Sequence, residues 1–507
     1  MTSIEHSWHR QLTHKSDLAT TWHEHGRGES SLRVLVLFPL VLLTLFFGGA
    51  RPWIWQSVSG LFFVCLGAWH FRHGLAALEK AMRCLLAIAF SFLIIPLLQT
   101  ISLPTALLET LSPVRAQWAV AAYEFGNIAG TTISYDVLAT WMHFAWWFFL
   151  IVFAALLAQA LCSRTTRYPT WFLHFLFLLA GFEAMYGILQ TLLPFLGVLW
   201  DIDASTGLAY KGYARGTFIN RSHYAAFLGL IWPVLLAYLL VLKSPRKMEH
   251  VLGKREQAQV LMQKKAFGIF CLALVILGLV FSQSRGGILA ALFSFTLLSL
   301  YAGLRQRRVA VTLAACWIIV LGYGAIIGFD GIASRFSQIE QGAAGRVELW
   351  GDGWSAVLDH PLTGTGLGTY PSVGRAYQNA FAPTHQAKHA HNDYLETIVE
   401  MGLPAAGILI LGIWGLWCWR AVFLWRKRLT MDPDRLVLAA GSLAALGGYM
   451  LHAWVEFNNA IPANQLTAVL MAVFHICISR EDLDQTPAGR TIPHSSLPNE
   501  GKSSSSE

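Results

Sequence analysis

Apolar runs long enough to cross a bilayer recur along the whole chain instead of gathering at one end. A membrane-spanning helix takes about 17–25 mostly apolar residues. Runs of roughly that kind predict helices over 34–49, 53–70, 84–99, 138–161, 170–193, 222–242, 266–282, 287–304, 309–328, 398–419, 436–455 and 462–479. The expected fold class is therefore all-α: a polytopic transmembrane helix bundle of about twelve spans. The same pattern divides the chain into a tail at 1–33, a region of about nine spans at 34–328, a long loop at 329–397, about three spans at 398–479 and a second tail at 480–507. Both tails read as disordered.

Charge fixes a direction. An even number of spans puts both termini on one side, and cytoplasmic connections carry an excess of Lys and Arg. With both termini cytoplasmic, most of the 37 basic residues fall in cytoplasmic segments, among them Arg305, Arg307, Arg308 and the stretch 420–435. The net charge of +8 is then topological, with some attraction to anionic lipid, and calls for no nucleic acid. Composition agrees, at 55% hydrophobic and 13% charged residues, where a soluble domain carries about 25% charged. The seven cysteines all lie in or beside spans and none in the long outside loops, so no disulfide framework is expected.

Two segments facing outside hold more than connectors need. The first, 100–137, contains a short amphipathic stretch around Leu107–Tyr123. The second, 329–397, is too long for a linker, and such loops are usually functional. It contains an expected amphipathic helix from Val347 to Leu358, a glycine-rich turn at Gly364, Gly366 and Gly368, and a polar cluster ending at His391 and Asn392. The glycine run lacks the spacing and strand–helix context of a dinucleotide site. It reads as a tight turn. No P-loop or kinase set is visible, so nothing points to cytoplasmic nucleotide hydrolysis. The His-rich tail (His6, His9, His14, His23, His25) reads as a solvated tail more readily than as a metal site.

Basic residues on the outside run against the topological trend, which makes each informative. Arg285 sits in Ser284-Arg285-Gly286-Gly287, squeezed between two apolar runs, where a charge is costly and marks a candidate functional site. Arg215 and Arg221 precede a span, and Arg346 opens the loop helix. Planar guanidinium groups at a membrane surface suit a diphosphate, which they bind in bidentate fashion. Each of them also suits a plain interfacial arginine facing lipid phosphate. His389 and His391, followed by Asn392, Glu396 and Glu400, supply side chains that exchange protons near neutral pH. They could instead ligate a metal with Asp393 or His385, or sit satisfied at the interface. His452, Glu456, Asn458 and Asn459, at the last outside turn, line the same cavity or cap the interface.

Taken together, Gly216-Thr217-Phe218-Ile219-Asn220-Arg221-Ser222-His223, Ser284-Arg285-Gly286, Gly345-Arg346 with Trp350 and Pro361-Leu362-Thr363-Gly364-Thr365-Gly366, and His389-Ala390-His391-Asn392 with Glu400 and Gly402 resemble the O-antigen ligase and polymerase superfamily. The resemblance covers about 200–480. It implies a bacterial inner-membrane glycosyltransferase that takes a glycan from undecaprenyl diphosphate on the periplasmic side and needs neither cofactor nor metal. It implies Arg285 and Arg346, with Arg221 and less directly Arg215, as the diphosphate grip. It implies His391, beside His389, as the group acting on an acceptor hydroxyl, with Asn392, Glu396 and Glu400 in support. Acceptors in such a family are lipid A–core in ligases, a second lipid-linked glycan in O-antigen or exopolysaccharide polymerases, and protein hydroxyls in O-linked oligosaccharyltransferases. Other polysaccharide-assembly proteins of the envelope are further partners to expect. A lipid-linked glycan transporter is the reading from a different class. It would need ionisable groups inside the spans, whereas here the polar cluster sits at their outside ends.

Overall fold

The computed structural model describes residues 29–73, 80–124, 130–162, 169–193, 195–200, 212–243, 254–303, 311, 314–315, 345–378 and 388–480. The expected tails at 1–28 and 481–507, most of the expected span at 309–328 and loop residues 329–344 and 379–387 lie outside them. Every regular element described is helical: α1 (29–45), α2 (Pro52–His73), α3 (Lys80–Phe92), α4 (Ile94–Thr100), α5 (Thr105–Leu111), α6 (Pro113–Glu124), α7 (Val137–Leu161), α8 (Thr170–Leu192), α9 (Arg221–Val241), α10 (Lys254–Phe281), α11 (Arg285–Gly303), α12 (345–359), α13 (Tyr370–Tyr377), α14 (Asp393–Lys427), α15 (Pro433–His452) and α16 (Pro462–Ile478). Among the described residues, eight segments are long and apolar enough to span a membrane: α2, α3 with α4, α7, α8, α9, α10, α11 and α14. The chain is a multi-pass membrane protein. Helices α1, α15 and α16 fall on three further expected spans.

Helix α9 is central and packs on α8, α10, α11, α15 and α16. Lipid offers no hydrophobic drive between helices, so close approach depends on small residues. Gly448 of α15 shows this: a Cβ there would lie 2.9 Å from the Ala290 carbonyl oxygen of α11. At the end of the bundle away from the long loop, Arg435 is buried and donates from Nε to the Ile478 carbonyl at the C-terminus of α16, 2.9 Å away. A cation is favoured there by the exposed carbonyls of a helix end. At the same end one expectation is corrected, because Cys162 and Cys477 are joined by a disulfide with their Cα atoms 5.2 Å apart. The two residues are separated by 315 positions. Their pairing follows from α7 and α16 ending side by side, which loop positions in the sequence do not reveal.

At the loop end, the amphipathic stretch resolves into α5 and α6, and the loop helix runs over 345–359. His360 ties these pieces together. Its Nδ1 lies 3.1 Å from Ser112 Oγ, its Nε2 3.2 Å from the Tyr135 hydroxyl, and Tyr377 donates to Asp359 Oδ2 at 2.8 Å. Burial pushes the His360 imidazole down to about 4.

The glycine-rich turn lies across a bend in α14. Gly402 has φ 77° and ψ 161°, so the run expected as one span over 398–419 is bent there, with 398–401 in a short first arm. The arms fold back far enough for Trp414 Nε1 to donate to the Tyr394 hydroxyl at 3.2 Å. Thr365 and Gly366 donate to the carbonyls of Val399 and Glu400, and Leu403 donates to that of Pro361, all within 3.0 Å. Gln99 of α4 fills the remaining positions: Nε2 donates to the Thr363 and Glu400 carbonyls and Oε1 accepts from Leu367 N. The conformation at Gly402 is open essentially to glycine alone, and a Cβ would meet the Leu362 carbonyl oxygen at 2.5 Å. Gly402→Ala is therefore expected to lower stability in detergent by about 1–3 kcal/mol, read as a drop in the unfolding midpoint. A melting curve superimposed on that of the wild type would show that the crossing relaxes without cost.

Candidate active site

The histidine strand 389–392 is held from three sides. Asn392 caps α14, its side chain accepting from the N–H groups of Tyr394 and Leu395, both 3.1 Å away. Asp393 N donates to the Ala453 carbonyl, and its carboxylate accepts from Asn459 N at 3.0 and 3.1 Å. Glu396, one turn into α14, accepts from Ala390 N at 2.7 Å and holds His389 Nδ1 at 3.1 Å. Trp350 of α12 donates to the Ala390 carbonyl at 3.0 Å. His391 takes a left-handed backbone with φ 51°. That conformation is uncommon for a residue with a side chain, and these contacts on both sides hold it.

The centre of the cluster is Glu456. Its Oε1 accepts from Arg346 Nη2 at 2.6 Å and its Oε2 lies 3.1 Å from His391 Nδ1. Burial alone would raise this carboxyl, but the bond from His391, the His391 and His223 imidazoles and the Arg346 guanidinium outweigh it and hold it at about 2. It is thus ionised at neutral pH and accepts only, so His391 Nδ1 carries the proton and Nε2 keeps its lone pair when the ring is neutral. Phe457 packs the histidines. His389 stacks on it at 4.2 Å between centroids, while His391 and His223 meet it edge-on at 4.7 and 4.5 Å. Burial would lower His389, but Glu396 beside it more than offsets this and the imidazole is raised above its ordinary value. The stabilisation from that pair is complete below about pH 6.5 and fades as pH rises through the raised value.

The arginines are distributed around this centre. Arg285 is the first residue of α11 and is exposed, with no ion-pair or hydrogen-bond partner among the described residues. Its neighbours place it. Ser284 Oγ donates to Ser222 Oγ at 3.3 Å, and a Cβ on Gly286 would lie 2.8 Å from the His452 ring. Arg221 opens α9, two residues before His223, with its guanidinium 4.1 Å from the centre of the Tyr213 ring. The N-termini of α9 and α11 therefore lie side by side next to the cluster, where helix dipoles favour anions. Arg215 is buried behind them. Glu400 also lies behind, accepting from Tyr370 N at 3.0 Å and serving the glycine-rich turn.

Residues 270–410 match the family model described as O-antigen ligase. Over that stretch the chain is similar to the O-antigen ligase family. No curated protein matches the chain. The matched stretch contains Arg285, Arg346, His389, His391, Asn392, Glu396 and Glu400, and makes the protein ligase- or polymerase-like in function. Arg215, Arg221, Glu456 and Phe457 lie outside the matched stretch, and with them the carboxylate that links Arg346 to His391. Sequence reasoning noted Glu456 as one of several groups at the last turn without seeing that it is the hub. It missed the role of Phe457 altogether. The available signal was a Glu-Phe pair just after a span, and its partners are chosen only by the docking of the loop. Among the described residues no three of His, Cys, Asp and Glu converge as a metal-holding group.

Since Glu456 is held below its unfolded value, its pairing contributes fully above about pH 4.5 and is lost as pH falls toward 2. Glu456→Gln is expected to destabilise the protein by up to about 3 kcal/mol at pH 6–8. The gap from wild type should narrow below about pH 4.5. Melting curves in detergent across that range test this, and a gap independent of pH would show that the carboxylate is not charged in the folded state.

Proposed function

We propose that this protein transfers a glycan from undecaprenyl diphosphate to an acceptor hydroxyl on the periplasmic side of the bacterial inner membrane, as an O-antigen ligase acting on lipid A–core. The observation that carries the reading is the Arg346–Glu456–His391 relay beside the N-termini of α9 and α11. In it a base is oriented next to a group of cations. That pairing suits a reaction in which a hydroxyl loses a proton while a diphosphate departs.

The step balances without an external co-reactant. His391 Nε2 takes the acceptor's hydroxyl proton, and the oxygen attacks the anomeric carbon. The bond from that carbon to the diphosphate oxygen breaks, and its electron pair leaves with the diphosphate. Attack opposite the leaving group inverts the anomeric centre. Glu456 stabilises the imidazolium that forms, as the carboxylate of a Ser-His-Asp triad does. Negative charge grows on the leaving group in the transition state, where fixed cations count most. Arg285, exposed and without a partner among the described residues, and Arg221 are placed to receive it. Arg346 uses one nitrogen on Glu456 and keeps its other donors for phosphate. Arg215 supports the grip from behind, His389 and Asn392 shape the histidine strand, and Glu396 and Glu400 anchor it. No step calls for a metal or another cofactor. Both termini are cytoplasmic in this reading, in keeping with the excess of Lys and Arg in the segments assigned to that side.

The test is a reconstituted assay with undecaprenyl-diphosphate-linked repeat units, with and without lipid A–core. Product on the core that disappears with His391→Ala supports the ligase, and lengthening of the lipid-linked chain alone assigns a polymerase. His391→Ala should lower kcat by about 10²–10⁴ while donor binding persists. Arg285→Ala should lower kcat as well as raise the donor KM, since the cation meets charge that grows in the transition state. An active His391→Ala enzyme would remove the base from the mechanism.

A further inference from the structure

A carboxylate in the middle of an apolar membrane helix is costly and needs a reason. Glu183, on α8, is fully buried, and the reaction outlined above does not use it. Its Oε2 accepts from Thr217 N at 3.0 Å, and its Oε1 lies 2.8 Å from Thr217 Oγ1, a hydroxyl that also reaches the Thr44 carbonyl at 2.5 Å. Two turns further along the same face, Gln190 Nε2 donates to the Gly216 and Gly197 carbonyls, both at 2.8 Å, while its Oε1 accepts from Arg215 N at 3.3 Å. Between them Gly187 leaves room for the loop: a Cβ there would meet Gly216 N at 3.2 Å and the Tyr224 hydroxyl at 2.5 Å. The Tyr224 hydroxyl in turn donates to the Glu183 carbonyl at 3.3 Å. Gly216 itself has φ 54° and lies directly against Glu183 Oε2.

Residues 183, 187 and 190 thus form one stripe of α8, spaced at i, i+4 and i+7, and the stripe grips residues 215–217 by backbone and side chain. That short turn carries Arg215 and leads into Arg221 at the start of α9. A turn needs no buried acid to be stable. A buried acceptor that meets one threonine at both its N–H and its hydroxyl instead fixes the turn to a fraction of an ångström, and arginines that must meet a diphosphate require such fixing.

We propose that Glu183 and Gln190 are positioning residues for the donor, holding the 215–217 turn so that Arg221, with Arg215 buried behind it, faces the diphosphate. This rests on the reading of those arginines as diphosphate ligands. Glu183→Gln keeps the size of the side chain but replaces one of its two acceptors with an amide donor. Affinity of the full-length protein for undecaprenyl diphosphate, measured in detergent, should fall about tenfold, with a cooperative melt retained. In the transfer assay the donor KM should rise and kcat fall with it, because the displaced arginines also meet the charge that grows on the leaving group, while the acceptor KM stays as in the wild type. Adding Thr217→Val should bring less loss than that change brings alone, because the two share one contact while Thr217 Oγ1 also reaches the Thr44 carbonyl at 2.5 Å. Gln190→Leu, which breaks the other end of the grip, should weaken donor binding in the same way and keeps the proposal open to test if Glu183→Gln does not fold. Donor affinity unchanged in both variants, or kcat and both KM values moving together, would overturn the positioning role and leave a structural anchor. A wild-type protein that neither binds undecaprenyl diphosphate nor transfers would overturn the functional reading and this proposal with it. Wild-type activity alongside normally binding variants would overturn only the latter.

Discussion

The arrangement at the loop end depends on one buried carboxylate. Glu456 has almost no contact with solvent, and a charge taken out of water is tolerated only when it is paired and hydrogen-bonded. Arg346 and His391 provide that pairing from opposite sides, one at the start of α12 and the other just before α14. Each partner belongs to the long loop, whereas Glu456 belongs to the turn between α15 and α16. The loop is therefore fastened to the bundle through the charge itself. Phe457 adds an apolar platform against which His389, His391 and His223 pack.

A second constraint explains the shape around this charge. Backbone that leaves the helix near a membrane must have its N–H and C=O groups satisfied within the protein. The 361–369 segment meets that demand by lying across the bend of α14, with Gln99 bonding to both strands of the crossing. Glu400 adds the bond at Tyr370 N. Gly364 and Gly402 are present because the two backbones approach too closely for a Cβ, while a Cβ at Gly366 or Gly368 would meet Ser134 or the His143 ring. The crossing in turn fixes where α14 begins, and hence where Asn392 and His391 project.

Much of this was legible in the sequence, and the reasons differ by element. The spans stood out because an apolar run of bilayer length has few ways to avoid water except by crossing a membrane. The loop helix stood out because Val347–Leu358 carries a clear amphipathic period. His391, His389 and Arg346 were recognisable by residue type against the topological trend. The bend at Gly402 was not, because it divides a run whose hydropathy is continuous, and only the crossing of 361–369 demands it. The Cys162–Cys477 disulfide was hidden for a related reason, since a pair between two helix ends has no local signature. Glu456 is the most instructive case. Its residue type was plain, but a glutamate at a turn reads equally as a cap, and its role comes from two partners more than 60 positions away in sequence.

The site also divides unevenly along the chain. The stretch 270–410, similar to the O-antigen ligase family, contains His389, His391, Arg285 and Arg346. The orienting carboxylate comes from beyond it, and the turn bearing Arg215 and Arg221 precedes it. A histidine alone would exchange between tautomers, and Glu456 selects the one whose Nε2 can accept a proton. On the proposed reading the base is assembled only when the loop is docked, since both His391 and Arg346 of the loop meet the same carboxylate. Such coupling would suit the proposed transfer between two lipid-anchored reactants. A histidine left in the wrong tautomer, or an arginine left unpaired, would give a loop that binds without reacting, and a single buried charge shared between them excludes the intermediate arrangements.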